Sequence, residues 1–201
     1  MAEYHYRLLN VFTFGGNKFS GNPLCVFENG SGIDAATMQA LALQFNLSET
    51  TFVLPSEHAT ARVRIFTPTY EMPFAGHPTL GTAHVVRALK AAGDAITLEM
   101  TAGVIRVTAE DDTWTLQTGE PHWRPVAADR EQLAEMPGLK PHDIGERPLW
   151  IDAGSDQPVV PLRSADAVAR CNPVAPANSA TWLTFGRQPV TRTFERASSS
   201  S

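Results

Sequence analysis

Short apolar runs alternate with clusters of turn-forming residues over the first 120 positions, and this pattern predicts a sheet of short strands. A partly alternating strand is predicted over Tyr4–Phe14, with its partner over Pro23–Phe27. Glycines and asparagines between them supply the turn. The remaining predicted strands are rich in β-branched residues and span Thr50–Leu54, Ala61–Phe66, Ile96–Met100, Val104–Ala109 and Trp114–Thr118.

Two helices are predicted within the same part of the chain. The first begins after Asp34 as N-cap, carries apolar residues at helical spacing and ends at Asn46. The second runs from Pro78 to about Ala92 and ends at Gly93 as its C-cap. Because it is apolar on more than one side, it should be mostly buried. We therefore expect an α+β fold in which an antiparallel or mixed sheet wraps around a buried helix.

A change in composition predicts a boundary near position 120, giving a first domain over 1–120 and a linker with a partial second domain over 121–201. The linker, rich in Pro, Gly and charge, contains one short predicted helix over Asp129–Met136. The serine tail from Ser198 to Ser201 is expected to be disordered. Further elements are predicted as strands over Trp150–Ala153, Val159–Leu162, Thr181–Phe185 and Val190–Phe194, and a helix over Ala165–Arg170. With no second long buried helix, the second domain looks incomplete.

Charge and hydropathy narrow the possible partners. The net charge of −5 and the scattered basic residues give no reason to expect nucleic acid. No apolar stretch approaches the length of a membrane span, and the N-terminus lacks the pattern of a signal peptide, so a cytoplasmic protein is expected. Cys25 and Cys171 lie in apolar settings and are expected to be buried thiols rather than a disulfide.

Candidate chemistry centres on the start of the second helix. His77 lies there between Gly76 and Pro78. The free N–H groups and dipole of a helix N-terminus favour an anion such as a carboxylate. Glu49 has apolar neighbours, which disfavour the charged form of a carboxyl and suit acid–base chemistry. From the residues alone, a solvated or capping glutamate and a backbone-satisfied histidine stay open for these two positions.

A metal site is the less favoured interpretation of this segment. His77 and His84 are two helical turns apart, and Glu71 lies nearby in the sequence. No further ligand and no HExxH motif is present. We therefore expect no metal.

Three motifs together resemble the phenazine-biosynthesis PhzF-like family of the diaminopimelate-epimerase-like superfamily. They are GNPLCVF from Gly21, FNLSETTFVLP from Phe45 and FTPTYEMPFAGHPTLGTA from Phe66. The resemblance implies two half-barrel domains with a site between them. It further implies a homodimeric isomerase that moves a proton between carbons of a small unsaturated or cyclic carboxylic acid without a cofactor. Its implied site has Glu49 as proton shuttle and His77 beside the substrate, with Gly76, Pro78 and Ser48 as substrate-binding residues.

Two features qualify the resemblance. Epimerases of the same superfamily pair two cysteines as acid and base, whereas here Glu49 holds the relevant position and Cys25 is expected far from the site motifs. The family's second block, EDPxTGS, does not occur in the sequence. We therefore expect this chain alone to be poorly active. The alternative is a catalytically inactive truncated fragment or a module that binds a small carboxylate.

Overall fold

The computed structural model describes residues 3–118, 120–153 and 156–172, together with the strand Ser198–Ser199. The described residues form two compact units. The first contains residues 3–118 and the strand Ser198–Ser199, and the second contains residues from 120 to 172. The predicted strands Thr181–Phe185 and Val190–Phe194 lie outside the described residues, so the partial second domain over 121–201 stays a prediction.

A mixed sheet forms the first unit. Its strands are β1 (Tyr6–Val11), β2 (Asn22–Phe27), β3 (Glu49–Leu54), β4 (Ala61–Phe66), β5 (Glu71–Met72), β6 (Ala95–Met100), β7 (Gly103–Glu110) and β8 (Thr113–Gln117). The order is β1-β2-β3-β4-β6-β7-β8, with β5 paired to β4. The β2–β3 and β4–β6 pairs are parallel, and the other neighbours are antiparallel.

A helix fills the inside of this sheet. Helix α2 (Gly76–Lys90) contacts β1, β2, β3, β4, β6 and β8, so the sheet wraps around it as a half-barrel. The approach is close at Gly81, where an added Cβ would lie 2.6 Å from Leu24 Cδ2. The predicted α+β fold is confirmed. The predicted end at Gly93 is wrong, because Ala91 adopts the left-handed conformation and its N–H bonds to the Arg87 carbonyl. The last turn is exposed, so no packing extends the helix further.

The opposite face of the sheet carries helix α1 (Ala35–Phe45), which packs on β3 and β4. Its predicted ends are confirmed. The Asp34 carboxylate accepts the Thr37 N–H at 2.8 Å, and Asn46 is left-handed. Because both faces of β2 are covered, its residues are buried in alternate cores: Leu24 and Val26 face α2, while Cys25 and Phe27 join the cluster under α1.

The second unit contains a three-stranded antiparallel sheet and short helices. Its elements are β9 (His122–Pro125), α3 (Arg130–Glu135), a 3-10 turn (Pro141–Asp143), β10 (Leu149–Asp152), β11 (Asp156–Val159) and α4 (Ala165–Ala169). The sequence did not predict β9, whose residues are all exposed and lack an apolar pattern. The strand predicted from Val159 instead ends there, and Val160 to Leu162 continue as a buried connection.

Three further expectations meet the structure. Ser198–Ser199 form strand β12 against Leu9 and Asn10 of β1, so predicted disorder is wrong for these two residues, and β1 gains a partner along its edge. Cys25 is fully buried as expected, whereas Cys171 is only partly buried, and both thiols are free. In the part of the chain that the structure describes, every helix is too short or too polar to cross a membrane.

Candidate active site

The parallel pair β2–β3 brings three polar residues to one edge of the sheet. Strand β2 begins with Asn22 and strand β3 begins with Glu49, and Leu24 pairs in register with Glu49. Parallel strands that start at similar levels place their first residues at the same edge. Ser48 precedes β3 at this edge, and helix α2, which packs on both strands, begins with Gly76 and His77.

Glu49 and His77 meet at this edge. The Glu49 Oε2 atom lies 3.0 Å from His77 Nδ1, and the two side chains are 17% and 8% exposed. The distance is that of an ion pair, and Oε2 has no hydrogen-bond partner among the described residues. His77 Nε2 is likewise buried without a partner there. Buried polar atoms are normally satisfied, so this pair has unused capacity for a ligand.

Asn22 makes the hydrogen bond that Glu49 does not make. Its Nδ2 lies 3.4 Å from His77 Nδ1 with acceptable geometry. The Ser48 hydroxyl donates to Asn22 Oδ1 at 2.9 Å, which orients the amide. The predicted substrate-binding residue Ser48 therefore contacts Asn22 in this structure. Four side chains, from Asn22, Ser48, Glu49 and His77, form one connected group.

The start of α2 supplies backbone donors beside this group. The N-cap residue Ala75 makes no side-chain capping bond. The first-turn N–H groups of Gly76 and His77 have no partner within the helix, and Pro78, buried in the same turn, has no N–H. Among the described residues, a Cβ added at Gly76 would meet only Leu116 Cδ2, at 4.0 Å. Packing against this part of the chain therefore does not demand glycine at this position.

Sequence reasoning missed two residues of the site. Asn22 belongs to the GNPLCVF motif, whose residues predict a turn before β2 but no site residue. Glycine is required at position 21, because a Cβ there would lie 2.3 Å from the Val11 carbonyl oxygen. Phe12 follows β1 with a positive φ of 64°, and its ring centroid lies 6.5 Å from that of His77. The aromatic residues after β1 carried no signal that one of them turns toward the site.

The expectation that Cys25 lies far from the site motifs is wrong. Parallel pairing of β2 with β3 places Cys25 in register with Thr50, next to Glu49 in the chain. Its side chain, however, belongs to the apolar cluster on the α1 face. Burial raises the pKa of the Cys25 thiol to about 12, so it is unsuited to act as a thiolate base.

The residues considered for a metal are separated by other contacts. Both carboxylate oxygens of Glu71 pair with the Arg64 guanidinium, at 2.7 and 2.6 Å. The His84 ring packs edge-on against Trp114 at 5.7 Å, and burial lowers the pKa of this histidine. Among the described residues, no three side chains of the metal-binding types converge.

An open depression of about 410 Å³ lies elsewhere on the first unit, along β7 and β8. Its lining consists of Arg106, Thr108, Thr115, Leu116, Gln117 and Thr118. The five predicted site residues are absent from this lining. The depression therefore shares no lining residue with the Glu49–His77 pair.

Known proteins resemble this chain along most of its length. The chain is 37% identical over 177 residues to an uncharacterized isomerase of Pasteurella multocida, covering 85% of this chain and 59% of that protein. It is 37% identical over 141 residues to trans-2,3-dihydro-3-hydroxyanthranilate isomerase of Pseudomonas aeruginosa, covering 67% of this chain and 50% of the enzyme. The chain thus spans 50 to 59% of these relatives.

The fold comparison agrees with the sequence comparison. The crystal structure of a PhzF-family phenazine biosynthesis protein from Bacillus anthracis superposes with a TM-score of 0.72 at 27% identity, covering 86% of this chain and 60% of that one. The family model for phenazine biosynthesis-like proteins matches residues 10–200. Together with the half-barrel around α2, these matches show that the chain belongs to the PhzF family of phenazine biosynthesis-like proteins.

Proposed function

We propose that this protein is an isomerase that moves a proton between two carbons of a small unsaturated or cyclic carboxylic acid. The observation that carries the proposal is the meeting of Glu49 and His77, both largely buried and each with an unpartnered polar atom among the described residues. The substrate proposed first is trans-2,3-dihydro-3-hydroxyanthranilate, which one relative is named for isomerising.

Glu49 takes the role of acid and base in this proposal. Its carboxylate accepts the proton from one carbon as the C–H bond breaks, and the resulting carboxylic acid returns a proton to another carbon as the double bond shifts. Neither carbon skeleton nor oxidation state changes, so the reaction requires no redox cofactor. The unpartnered Oε2 supports this role, since a carboxylate fully occupied by hydrogen bonds is a poorer base.

His77 and the start of α2 hold the polar end of the substrate. The N–H groups of Gly76 and His77, which have no partner within the helix, and the dipole of this 15-residue helix favour a carboxylate at that point. The space at Gly76 allows the ligand to approach the backbone closely. A homodimer with a cytoplasmic location stays a prediction for the complete protein.

Replacing Glu49 tests the proposal. Glu49→Gln keeps the shape of the side chain but removes its base, and we expect product formation to fall about 10²–10⁴-fold. Glu57→Gln, in an exposed loop, is the matched control and should leave the rate unchanged. Equal rates for the Glu49→Gln variant and the wild type would overturn the role of Glu49. Saturable carboxylate binding with no turnover in the wild type would favour the binding-module alternative.

Gly76→Ala tests the binding role without disturbing the fold. The added Cβ meets no atom of the described chain closer than 4.0 Å, and alanine is the better helix former by up to about 1 kcal/mol. We therefore expect unchanged or higher stability with a raised KM. An unchanged KM would show that the substrate does not approach Gly76.

A further inference from the structure

We propose that Phe12 is a substrate-binding residue whose ring packs against the planar, unsaturated part of the carboxylic acid. The inference rests on the proposed function for the identity of that ligand. It adds an apolar contact to the connected polar side chains of the site, and the sequence predicts no such role for this residue.

The backbone turns the Phe12 ring away from the face on which strand alternation would place it. Side chains alternate between the two faces of a strand, and Val11 of β1 lies in the core around α2. Tyr6 lies on the opposite face, where its ring contacts that of Phe45 in α1 at a centroid distance of 5.0 Å. Continued alternation would place Phe12 on the same face as Tyr6. Its ring centroid instead lies 6.5 Å from that of His77 at the start of α2.

A left-handed backbone conformation produces this change of direction. Phe12 has a φ of 64°, a value that residues other than glycine seldom adopt because it costs free energy. The residue stays 37% exposed, so the turn does not serve to bury the ring in the core. Backbone strain of this kind is typical of residues that a functional site holds in place.

The loop after Phe12 fixes the position of the ring. The Phe14 N–H donates to the Ser20 hydroxyl at 2.7 Å and so closes the loop. The returning chain passes so close to β1 that a Cβ on Gly21 would lie 2.3 Å from the Val11 carbonyl oxygen. The ring is therefore attached to a closed, closely packed loop, which suits a residue that positions a ligand.

The Phe12 ring lies beside polar atoms that a ligand can use. Glu49 Oε2 and His77 Nε2 are buried without a hydrogen-bond partner among the described residues. The Phe12 and His77 rings, with an interplanar angle of 51°, are within the distance range of aromatic contacts. A flat, unsaturated acid bound at Glu49 therefore has an aromatic surface beside it. Because a breaking C–H bond must align with the neighbouring double bond, a contact that fixes the plane of the substrate helps to align its carbon with Glu49.

The test compares the binding of benzoate, a planar unsaturated carboxylate, with that of acetate, which has the carboxylate without the ring. Both would be titrated by NMR into the full chain and its variants. Phe12→Gly removes the ring and suits a positive φ, so the fold should be retained. We expect the Kd of benzoate to rise about 2–10-fold in this variant, as for the loss of one aromatic pair. The Kd of acetate should stay the same.

Two further variants and a control separate the ring from its apolar bulk. Phe12→Tyr keeps the ring and should bind benzoate as the wild type does. Phe12→Leu keeps an apolar side chain without the ring, and it should bind benzoate more weakly than Phe12→Tyr even if Phe12→Gly does not fold. Phe19→Leu is the matched control, because Phe19 is 89% exposed in the same loop and its replacement should leave the Kd of benzoate unchanged.

Three results would overturn the inference. They are a wild type that shows no saturable binding of benzoate, a Kd of benzoate that is equal for Phe12→Leu and the wild type, and equal losses of benzoate and acetate affinity. The last result would make Phe12 a purely structural residue. Failure of the proposed function is separate, because it would appear as absent isomerase turnover while the affinity for benzoate still depends on Phe12.

Discussion

The two units of the molecule are built on different principles. In the first, 21 buried apolar residues form one core between a curved sheet and the helix α2. In the second, the described core has six buried members, and the helices are no longer than six residues. Charged side chains supply further contacts between the short elements of the second unit. The guanidinium of Arg130 donates to the Ile144 carbonyl, and Arg170 pairs with Asp143.

The difference shows where precision is needed. Glu49, His77 and Asn22 stand on the ends of buried elements of the first unit, so packing in that unit fixes their distances. All five predicted site residues lie there, and none lies in the described part of the second unit. A site that depends on separations near 3 Å needs such rigid support.

Replacing one buried leucine in each unit should give the largest difference in stability between the two units. Leu80 in α2 and Leu133 in α3 are both buried, at 2% and 4% exposure. Leu80→Ala should destabilise the first unit by about 2–5 kcal/mol, near the upper end, because the enclosing sheet cannot collapse onto the cavity. Leu133→Ala should cost less, because the smaller core relaxes more easily.

Hydrogen exchange during denaturant titration would measure both leucine variants. Loss of protection should spread through the first unit in Leu80→Ala and stay within residues 120–172 in Leu133→Ala. Equal effects of the two changes on the whole chain would show that the units do not differ in the way proposed.

A buried hydroxyl pair gives a smaller effect on the first unit. Thr51 of β3 and Thr82 of α2 share a hydrogen bond of 2.8 Å between their Oγ1 atoms, and both residues are fully buried. Thr82→Val should cost about 1–3 kcal/mol, since it leaves Thr51 unsatisfied. The double variant Thr51→Val with Thr82→Val should recover part of that loss. A double variant worse than the sum of both single changes would contradict this account of the pair.

Lowering the pH should destabilise the two units over different pH ranges. Burial, and then the nearby Arg87 charge, lowers the pKa of His84 in the folded state, so the unfolded chain binds more protons as pH falls through about 6.5. The first unit should therefore begin to lose stability there. The pKa of Asp143 is lowered by the Lys140 N–H and by Arg170. Its stabilisation persists above about pH 4 and is lost below it.

Measuring the free energy of unfolding of each unit from pH 7 to pH 3 would test these two pH ranges. His84→Gln should flatten the pH dependence of the first unit, and Asp143→Asn that of the second. The same pH dependence in wild type and His84→Gln would show that this histidine does not carry the effect.

Much of the first unit could be predicted from the short-range preferences of its residues. Asp34 and Asn46 could be predicted as the ends of α1, because helix capping depends on the preferences of single residues. The burial of α2 could be predicted from its apolar residues, which lie on more than one side of the helix. The exposed strand β9 lacks any apolar period, and Ser198–Ser199 form a strand by pairing with β1. Those contacts join distant parts of the chain, so propensity alone did not reveal them.

The site was only partly predictable for the same reason. Glu49 and His77 were recognised through motifs, yet their 3.0 Å approach follows from the packing of α2 on the β2–β3 pair. The register of β2 against β3 determined two positions that the sequence did not predict. Parallel pairing of these strands brings Asn22 to the edge of the sheet that carries Glu49, and it places Cys25 beside Thr50. Asn22 and Cys25 are close together in sequence, but the Cys25 side chain lies in the apolar cluster under α1.

The most direct test of the central claim, that Glu49 transfers the proton, is solvent exchange during turnover. The protein would be incubated with trans-2,3-dihydro-3-hydroxyanthranilate in D₂O, and deuterium in the remaining substrate and the product followed by mass spectrometry. We predict deuterium at one carbon with the wild type and none above background with Glu49→Gln. Exchange at the wild-type rate in Glu49→Gln, or a wild type that catalyses neither isomerisation nor exchange, would contradict the account.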